Sequence, residues 1–223
     1  MADRSRKDAL YEQVARVGKA LAAPRRLELV DLLVQAPRTV ELLARETGMS
    51  IANTSQHLQV LRAAGVVDAE RSGTFVTYRL ASRDVAELFV ALRGVAGARL
   101  AEVDRLKRQL FATDAHVDAI DGSELVRLVR RGRVVLVDVR PTEEYAAGHL
   151  AGAVSIPHDQ LERRLRELPK DRRIVAYCRG PYCVFAAHAV KLLRARGFDA
   201  TRIEDGVADW QARGLPIETE HAA

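Results

Sequence analysis

The chain has 223 residues, 48% apolar and 29% charged, with a net charge of +5 and two cysteines. That length suits two domains with separate cores, and the composition excludes disordered, fibrous and disulfide-stapled classes. No run approaches the roughly 20 apolar residues of a membrane span, and Met1-Ala2-Asp3-Arg4-Ser5-Arg6-Lys7 leads into no apolar signal core, so a cytoplasmic location without a membrane partner is expected. In that compartment a disulfide is transient and functional rather than a staple. Basic residues outnumber acidic ones by 18 to 14 up to Ala115 and by 17 to 16 beyond it, so the basic bias sits in the first half, compatible with nucleic acid.

The first half reads as helices and one hairpin. Leu10, Val14, Val17 and Leu21 recur at three and four residues, predicting a helix over 8–21. Pro24 opens a second helix that runs to about Gln35, carried by Leu27, Leu29, Val30, Leu32 and Leu33. Thr39 caps Val40–Thr47, which stops at Gly48, and Ser50 caps Ile51–Ala64, which stops at Gly65. Val66–Arg71 and Phe75–Leu80 flank Ser72-Gly73-Thr74 as a β-hairpin. One long helix is expected over 82–111, with an apolar stripe from Val85 to Leu110.

The second half alternates strand and helix. Strands are predicted at 134–139, 154–156, 174–177 and 200–203, and helices at 123–131, 142–147, 159–168, 184–196 and 207–213. Such alternation implies a parallel sheet covered on both faces. Both cysteines fall in one loop, Cys178-Arg179-Gly180-Pro181-Tyr182-Cys183, between the third strand and its helix. A thiol there faces backbone N–H groups and the positive end of a helix, which favour the thiolate.

Two short helices joined by Glu46-Thr47-Gly48-Met49-Ser50 and followed by a hairpin form a winged helix-turn-helix arrangement. The second helix offers Asn53, Thr54, Ser55, Gln56, His57 and Gln59 to base edges, with Ser50 at its start also counted as DNA-binding, while Arg62 and the wing residues Arg71 and Thr74 are placed for phosphates or the minor groove. The pattern Ser50-x4-Ser55-x-His57-Leu58-x2-Leu61-x3-Gly65-Val66-Val67, with Pro24-x-Arg26-Leu27-x-Leu29 before it, resembles the ArsR family of repressors over about residues 8–110. That resemblance implies double-stranded operator DNA as partner and a homodimer through the first and last helices of this half. It departs from the metal sensors of the family: their third-helix cysteines are replaced by Glu41-Leu42-Leu43-Ala44-Arg45, which leaves no soft-metal trap, so no metal site is expected.

In the second half, Val137-Asp138-Val139-Arg140-Pro141-x2-Glu144-Tyr145-x2-Gly148-His149-Leu150 through Pro157 resembles the opening of rhodanese domains, and Glu204-Asp205-Gly206-x3-Trp210-x3-Gly214-Leu215-Pro216-Ile217 resembles their close. Cys178 then stands where that family keeps its catalytic cysteine, which takes sulfane sulfur from a donor as a persulfide. Asp138 and Arg140 read as ties between strand ends, His149 as ordering its loop, and Trp210 as core. Arg179, the only charge within the loop, is the residue expected to hold an anionic donor, with Gly180, Pro181 and Tyr182 completing the binding loop. Cys183 is placed to attack a Cys178 persulfide. Phosphatase or arsenate-reductase chemistry requires Cys-x5-Arg, and the position is Val184.

The expected architecture is therefore a mainly α winged helix-turn-helix domain (1–111), a linker (112–120) and an α/β rhodanese-like, three-layer parallel-sheet domain (121–223). The expected function is a cofactor-free transcriptional regulator, a repressor, responsive to reactive sulfur through Cys178 and Cys183, its small partner being thiosulfate, a polysulfide or a persulfide. The rival is a thiosulfate sulfurtransferase whose DNA-binding module regulates its own operon. A metal regulator with an accessory domain is a weaker third.

Overall fold

The computed structural model describes residues 2–111, 120 and 122–220. They divide into one unit up to Ala91 and a second from Leu92 onward.

The first unit is built by local punctuation. Helix α1 (Ala2–Leu21) is followed by α2 (Pro24–Gln35), whose proline occupies the first turn, where its missing N–H costs nothing. A two-residue strand, β1 (Arg38–Thr39), precedes α3 (Val40–Thr47). The Thr39 hydroxyl accepts from the Leu42 N–H at 3.3 Å, and Gly48, at φ +65°, ends α3 in the left-handed conformation. Helix α4 (Ile51–Ala63) starts on Ser50, whose Oγ accepts from the Asn53 N–H at 3.2 Å. Strands β2 (Val67–Ser72) and β3 (Phe75–Leu80) pair antiparallel with Ser72 opposite Phe75, so the turn is two residues rather than three. Gly73, at φ +60°, permits that tight reversal. β1 adds a third strand on the free side of β3, with Arg38 opposite Tyr78. Buried Leu29, Val30, Leu43, Leu58, Leu61 and Val66 form the core, closed by Phe89. The buried guanidinium of Arg38 pairs with Glu46 at 2.9 Å and ties the start of α3 to its last turn.

The helix expected over 82–111 is two: α5 (Arg83–Arg99) and α6 (Ala101–Leu110). Leu100 between them is extended, at φ −111° and ψ 99°. Gly94 and Gly97 weaken the helix ahead of the break, and Glu102 and Asp104 in the first turn of α6 suit a new helix start. The division between units falls inside α5 rather than at 111/112. The physical reason lies in the side chains of 92–111: Arg93 pairs with Asp209, Lys107 with Glu204 at 2.8 Å, and Arg202 lies over the Phe111 ring at 4.3 Å. Of the expected linker 112–120, only Ile120 is among the described residues.

The second unit is a four-stranded parallel sheet in the order β6-β4-β7-β8: β4 (Val134–Asp138), β6 (Val154–Ser155), β7 (Arg173–Tyr177) and β8 (Ala200–Arg202). Alternation along β7 sends Ile174, Ala176 and then Cys178 to one face, and Val175 and Tyr177 to the other. The first face is covered by α9 (Leu161–Arg164) and α10 (Phe185–Ala195), the second by α7 (Gly122–Arg130), α8 (Thr142–Ala147) and α11 (Val207–Ala212). The helix expected over 159–168 shortens to α9 plus a 3-10 turn, Leu165–Glu167. Two short strands, β5 (His149–Leu150) and β9 (Ile217–Glu218), pair antiparallel beside the sheet. Trp210 is core, its indole N–H donating to the Pro216 carbonyl at 3.0 Å. No helix among the described residues is long and apolar enough to cross a membrane.

Candidate functional site

The polar face of α4 is partly as expected. Ser50, Asn53, Gln56, Gln59 and Arg62 are exposed, Ser55 and His57 half-buried, and the wing presents Arg71 and Thr74 to solvent. Ser50 also serves as the cap of α4. Thr54 is a correction. It is 0% exposed, and its hydroxyl donates to the Ser50 carbonyl at 3.0 Å, so it cannot reach a base edge. Thr54, Leu58 and Leu61 share one face of the helix at spacings of four and three, and that face is core. Arg71 turns its Nε–H onto the Gly73 carbonyl at 3.2 Å, which braces the wing tip.

The sulfur site lies at the carboxyl end of β7, beside the central strand β4, where parallel sheets place their chemistry. Cys178 is 3% exposed and is joined to Cys183 by a disulfide, with Cα atoms 6.2 Å apart. The loop folds back on itself: the Cys183 N–H donates to the Gly180 carbonyl at 3.1 Å, and Gly180 holds φ +142°, a conformation that favours glycine. Gly206 approaches so closely that a Cβ there would overlap the Arg179 carbonyl.

Two ion pairs, Asp138 with Arg140 and Glu144 with the loop's own Arg179, lie at this end of the sheet. Asp138 and Arg140 are fully buried and paired at 2.6 Å, and Arg140 also donates to the Gly148 carbonyl at 2.7 Å. The Tyr177 hydroxyl donates to Asp138 at 2.5 Å and accepts from the Leu150 N–H at 3.1 Å. Burial, reinforced by the Asp138 charge, pushes the Tyr177 phenol well above its ordinary value, so it stays a donor. Glu144, also 0% exposed, grips Arg179, accepting from Nε at 3.0 and 3.1 Å and from a terminal nitrogen at 2.6 Å. Arg179, expected to hold an anionic donor, thus pairs with an internal carboxylate. Of its expected companions, Gly180 is buried, Pro181 half-buried and Tyr182 exposed. His149 stacks on Tyr145 at 3.7 Å with its Nδ1 2.9 Å from the Tyr145 carbonyl, the loop-ordering role expected of it.

A cleft of about 310 Å³ opens at the carboxyl ends of β4 and β6, lined by Val139, Thr142, Glu143, His158 and Phe185 among others. His158 stacks on Phe185 at 5.2 Å and faces His188 at 5.8 Å. Burial first, then the neighbouring His188, lowers its pKa from the ordinary imidazole value. The two histidines stand 30 residues apart in sequence, and only the fold brings them together.

Residues 23–69 match the profile of the bacterial regulatory proteins of the arsR family, and 121–213 match the rhodanese-like domain. The HTH-type transcriptional regulator Rv0324 of Mycobacterium tuberculosis is 49% identical over 213 residues, covering 96% of this chain and 93% of that protein. This chain is an HTH-type transcriptional regulator with an ArsR-family helix-turn-helix domain and a rhodanese-like domain. Its rhodanese-like half is similar to a sulfurtransferase of Allochromatium vinosum, 34% identical over 102 residues, covering 45% of this chain and 94% of that one. The ArsR half is similar to a homodimeric winged helix-turn-helix fragment from Mycobacterium bovis, 52% identical, covering 43% of this chain and 88% of that chain, with a TM-score of 0.41. The ArsR-family helix-turn-helix thus spans α2 to β2, and the rhodanese-like match encloses the whole cysteine loop but stops short of Arg93.

Proposed function

We propose that this transcriptional regulator is a homodimeric repressor that responds to reactive sulfur through Cys178 and Cys183. The observation that carries the reading is the loop itself: two thiols, the only ones in the chain, meet at one turn at the carboxyl end of a parallel sheet. The chemistry balances with hydrogen disulfide as donor. The Cys178 thiolate attacks one sulfur of HSS⁻, an S–S bond forms to Cys178, the donor S–S bond breaks, and HS⁻ leaves. After the persulfide takes up a proton, the Cys183 thiolate attacks the Cys178 sulfur, closing the disulfide and expelling a second HS⁻. Two cysteine sulfurs lose two electrons, and the donor's sulfane sulfur gains them.

Operator contacts fall to Asn53, Ser55, Gln56, His57 and Gln59 in the major groove, with Ser50, Arg62, Arg71 and Thr74 on the backbone. Dimerisation through the first and last helices is supported by Leu10, Tyr11 and Val14 on α1 and Leu88, Leu92 and Val95 on α5, all exposed in the single chain. The decisive measurement compares binding to the chain's own promoter duplex before and after polysulfide, with Cys178→Ser alongside. A change in affinity confined to the wild type is expected; superimposable curves would sink the sensor.

The likeness to a sulfurtransferase favours one second reading, a working thiosulfate sulfurtransferase that also regulates its own operon. Steady turnover of thiosulfate and cyanide separates the two, because a sensor needs to load only once per response.

A further inference from the structure

We infer that Arg93 is a positioning residue for the cysteine loop, and that through it the oxidation state of Cys178 and Cys183 is linked to helix α5. Arg93 lies outside the rhodanese-like match at 121–213, on the helix that also carries Phe89 into the core of the first unit. It belongs to the second unit, and there its side chain is 8% exposed.

Three contacts fix it. Its guanidinium pairs with Asp209, itself 12% exposed. One terminal nitrogen lies 3.1 Å from where a Cβ on Gly180 would stand, so it occupies the space that the missing side chain leaves. Its carbon sits 6.0 Å over the centre of the Tyr182 ring. Asp209 in turn accepts the Gly206 N–H at 3.0 Å, and Gly206 packs directly on the Arg179 carbonyl. One arginine thus touches the loop at Gly180 and Tyr182 and, through Asp209 and Gly206, braces it at Arg179. Three of the four residues between the cysteines answer to it.

These contacts exist with the loop closed by the disulfide. Reduction adds two electrons and two protons, frees the two thiols, and removes the constraint that holds Gly180 and Tyr182 against Arg93. A contact made in one state and lost in the other biases the equilibrium between them, and the bias is reciprocal. If α5 responds to operator binding, the operator must shift the disulfide equilibrium by the same factor by which oxidation shifts operator affinity. This linkage rests on the sulfur-sensing reading; the positioning of the loop by Arg93 does not.

The test uses the full chain, dithiothreitol and the promoter duplex. Dithiothreitol donates the two electrons and two protons and leaves as its cyclic disulfide, so intact mass gives the equilibrium constant directly. Arg93→Gln removes the charge, Asp209→Asn removes its partner while keeping an acceptor for the Gly206 N–H, and Arg93→Lys restores charge without the fork. Without DNA, Arg93→Gln is expected to make the bond easier to reduce by roughly tenfold, the scale of a lost charged hydrogen bond, with Asp209→Asn similar and Arg93→Lys between Arg93→Gln and the wild type. With DNA, the wild type is expected to show equal factors in the two directions, and Arg93→Gln to bring both towards one.

Arg93→Gln with a wild-type equilibrium constant and an undiminished DNA factor overturns the inference while the sensor reading stands. A wild type with no DNA factor, but with the tenfold shift in Arg93→Gln, sinks the sensor and keeps the positioning role. Fluorescence of Trp210, the single tryptophan, checks that each variant folds.

Discussion

Asp138→Asn removes one member of the buried ion pair under the cysteine loop while preserving its shape. Arg140 is fully buried, and its guanidinium loses the carboxylate that holds it at 2.6 Å. Taking away one partner of such a pair costs about 3–5 kcal/mol, because the remaining charge stays desolvated. Two features here set the lower end. The amide oxygen still accepts one bond, from Arg140 or from the Tyr177 hydroxyl, and the Glu144 charge lies close enough to favour the guanidinium. The expected loss is about 3 kcal/mol, which at a urea dependence of about 1–3 kcal/mol per molar moves the midpoint down by roughly 1–3 M. Trp210 is the only tryptophan and is buried in the second unit's core, so its fluorescence follows that unit alone. The change reaches the site because Tyr177, anchored to Asp138, is the residue before Cys178; loading by polysulfide is expected to slow in the variant even where it remains folded. A Trp210 midpoint within experimental error of the wild type would refute the argument, since it would mean that the buried charge finds full compensation elsewhere.

After polysulfide treatment, Cys183→Ser is expected to retain an adduct of about 32 Da on Cys178 while the wild type ends as the bare disulfide; intact-mass analysis distinguishes them. Arg62→Ala and Arg71→Ala should each weaken operator and random duplex alike and lower the salt slope by about 1, whereas Thr54→Ala, a core change, should cost about 1 kcal/mol of stability without altering sequence preference. His158 has a folded pKa below the unfolded value near 6.5, because burial, then His188, disfavours the cation. The unfolded chain therefore binds the extra proton first, so this contribution is complete above about pH 6.5 and is lost as pH falls below it. His158→Gln should flatten that acid limb in the Trp210 unfolding transition.

Local chemistry was legible, and distant partners were not. Pro24, Thr39, Gly48, Ser50 and Gly73 each act within a few residues of themselves, and each helix start or turn they imply is present. The strands β1, β5 and β9 are two residues long, too short for any alternation to show. The break at Leu100 carries no proline; it emerges from a weakened helix meeting a better start at Ala101. The pairing of Arg179 with Glu144 was not legible, because Glu144 is 35 residues away and becomes its neighbour only when β4 and β7 pair. The burial of Thr54 is legible in its spacing to Leu58 and Leu61, which is that of a buried face.

The engagement of Arg179 and the presence of Cys183 bear together on whether this site turns over. An enzyme that passes sulfur to an outside acceptor needs a cation to draw in an anionic donor and a persulfide that outlives the wait for the acceptor. Here the loop's own cation is already matched to Glu144, which weakens the first requirement. The second is weakened by geometry: Cys183, with its Cα 6.2 Å from that of Cys178, competes as an intramolecular thiol at an effective concentration of at least about millimolar. On the proposed sulfur-sensing reading, a dilute acceptor loses that race, and the loop closes into a disulfide that has to be reduced before it can load again. The need for a reductant at every cycle handicaps a catalyst. In a regulator it sets how long the signal persists after the sulfur donor has gone.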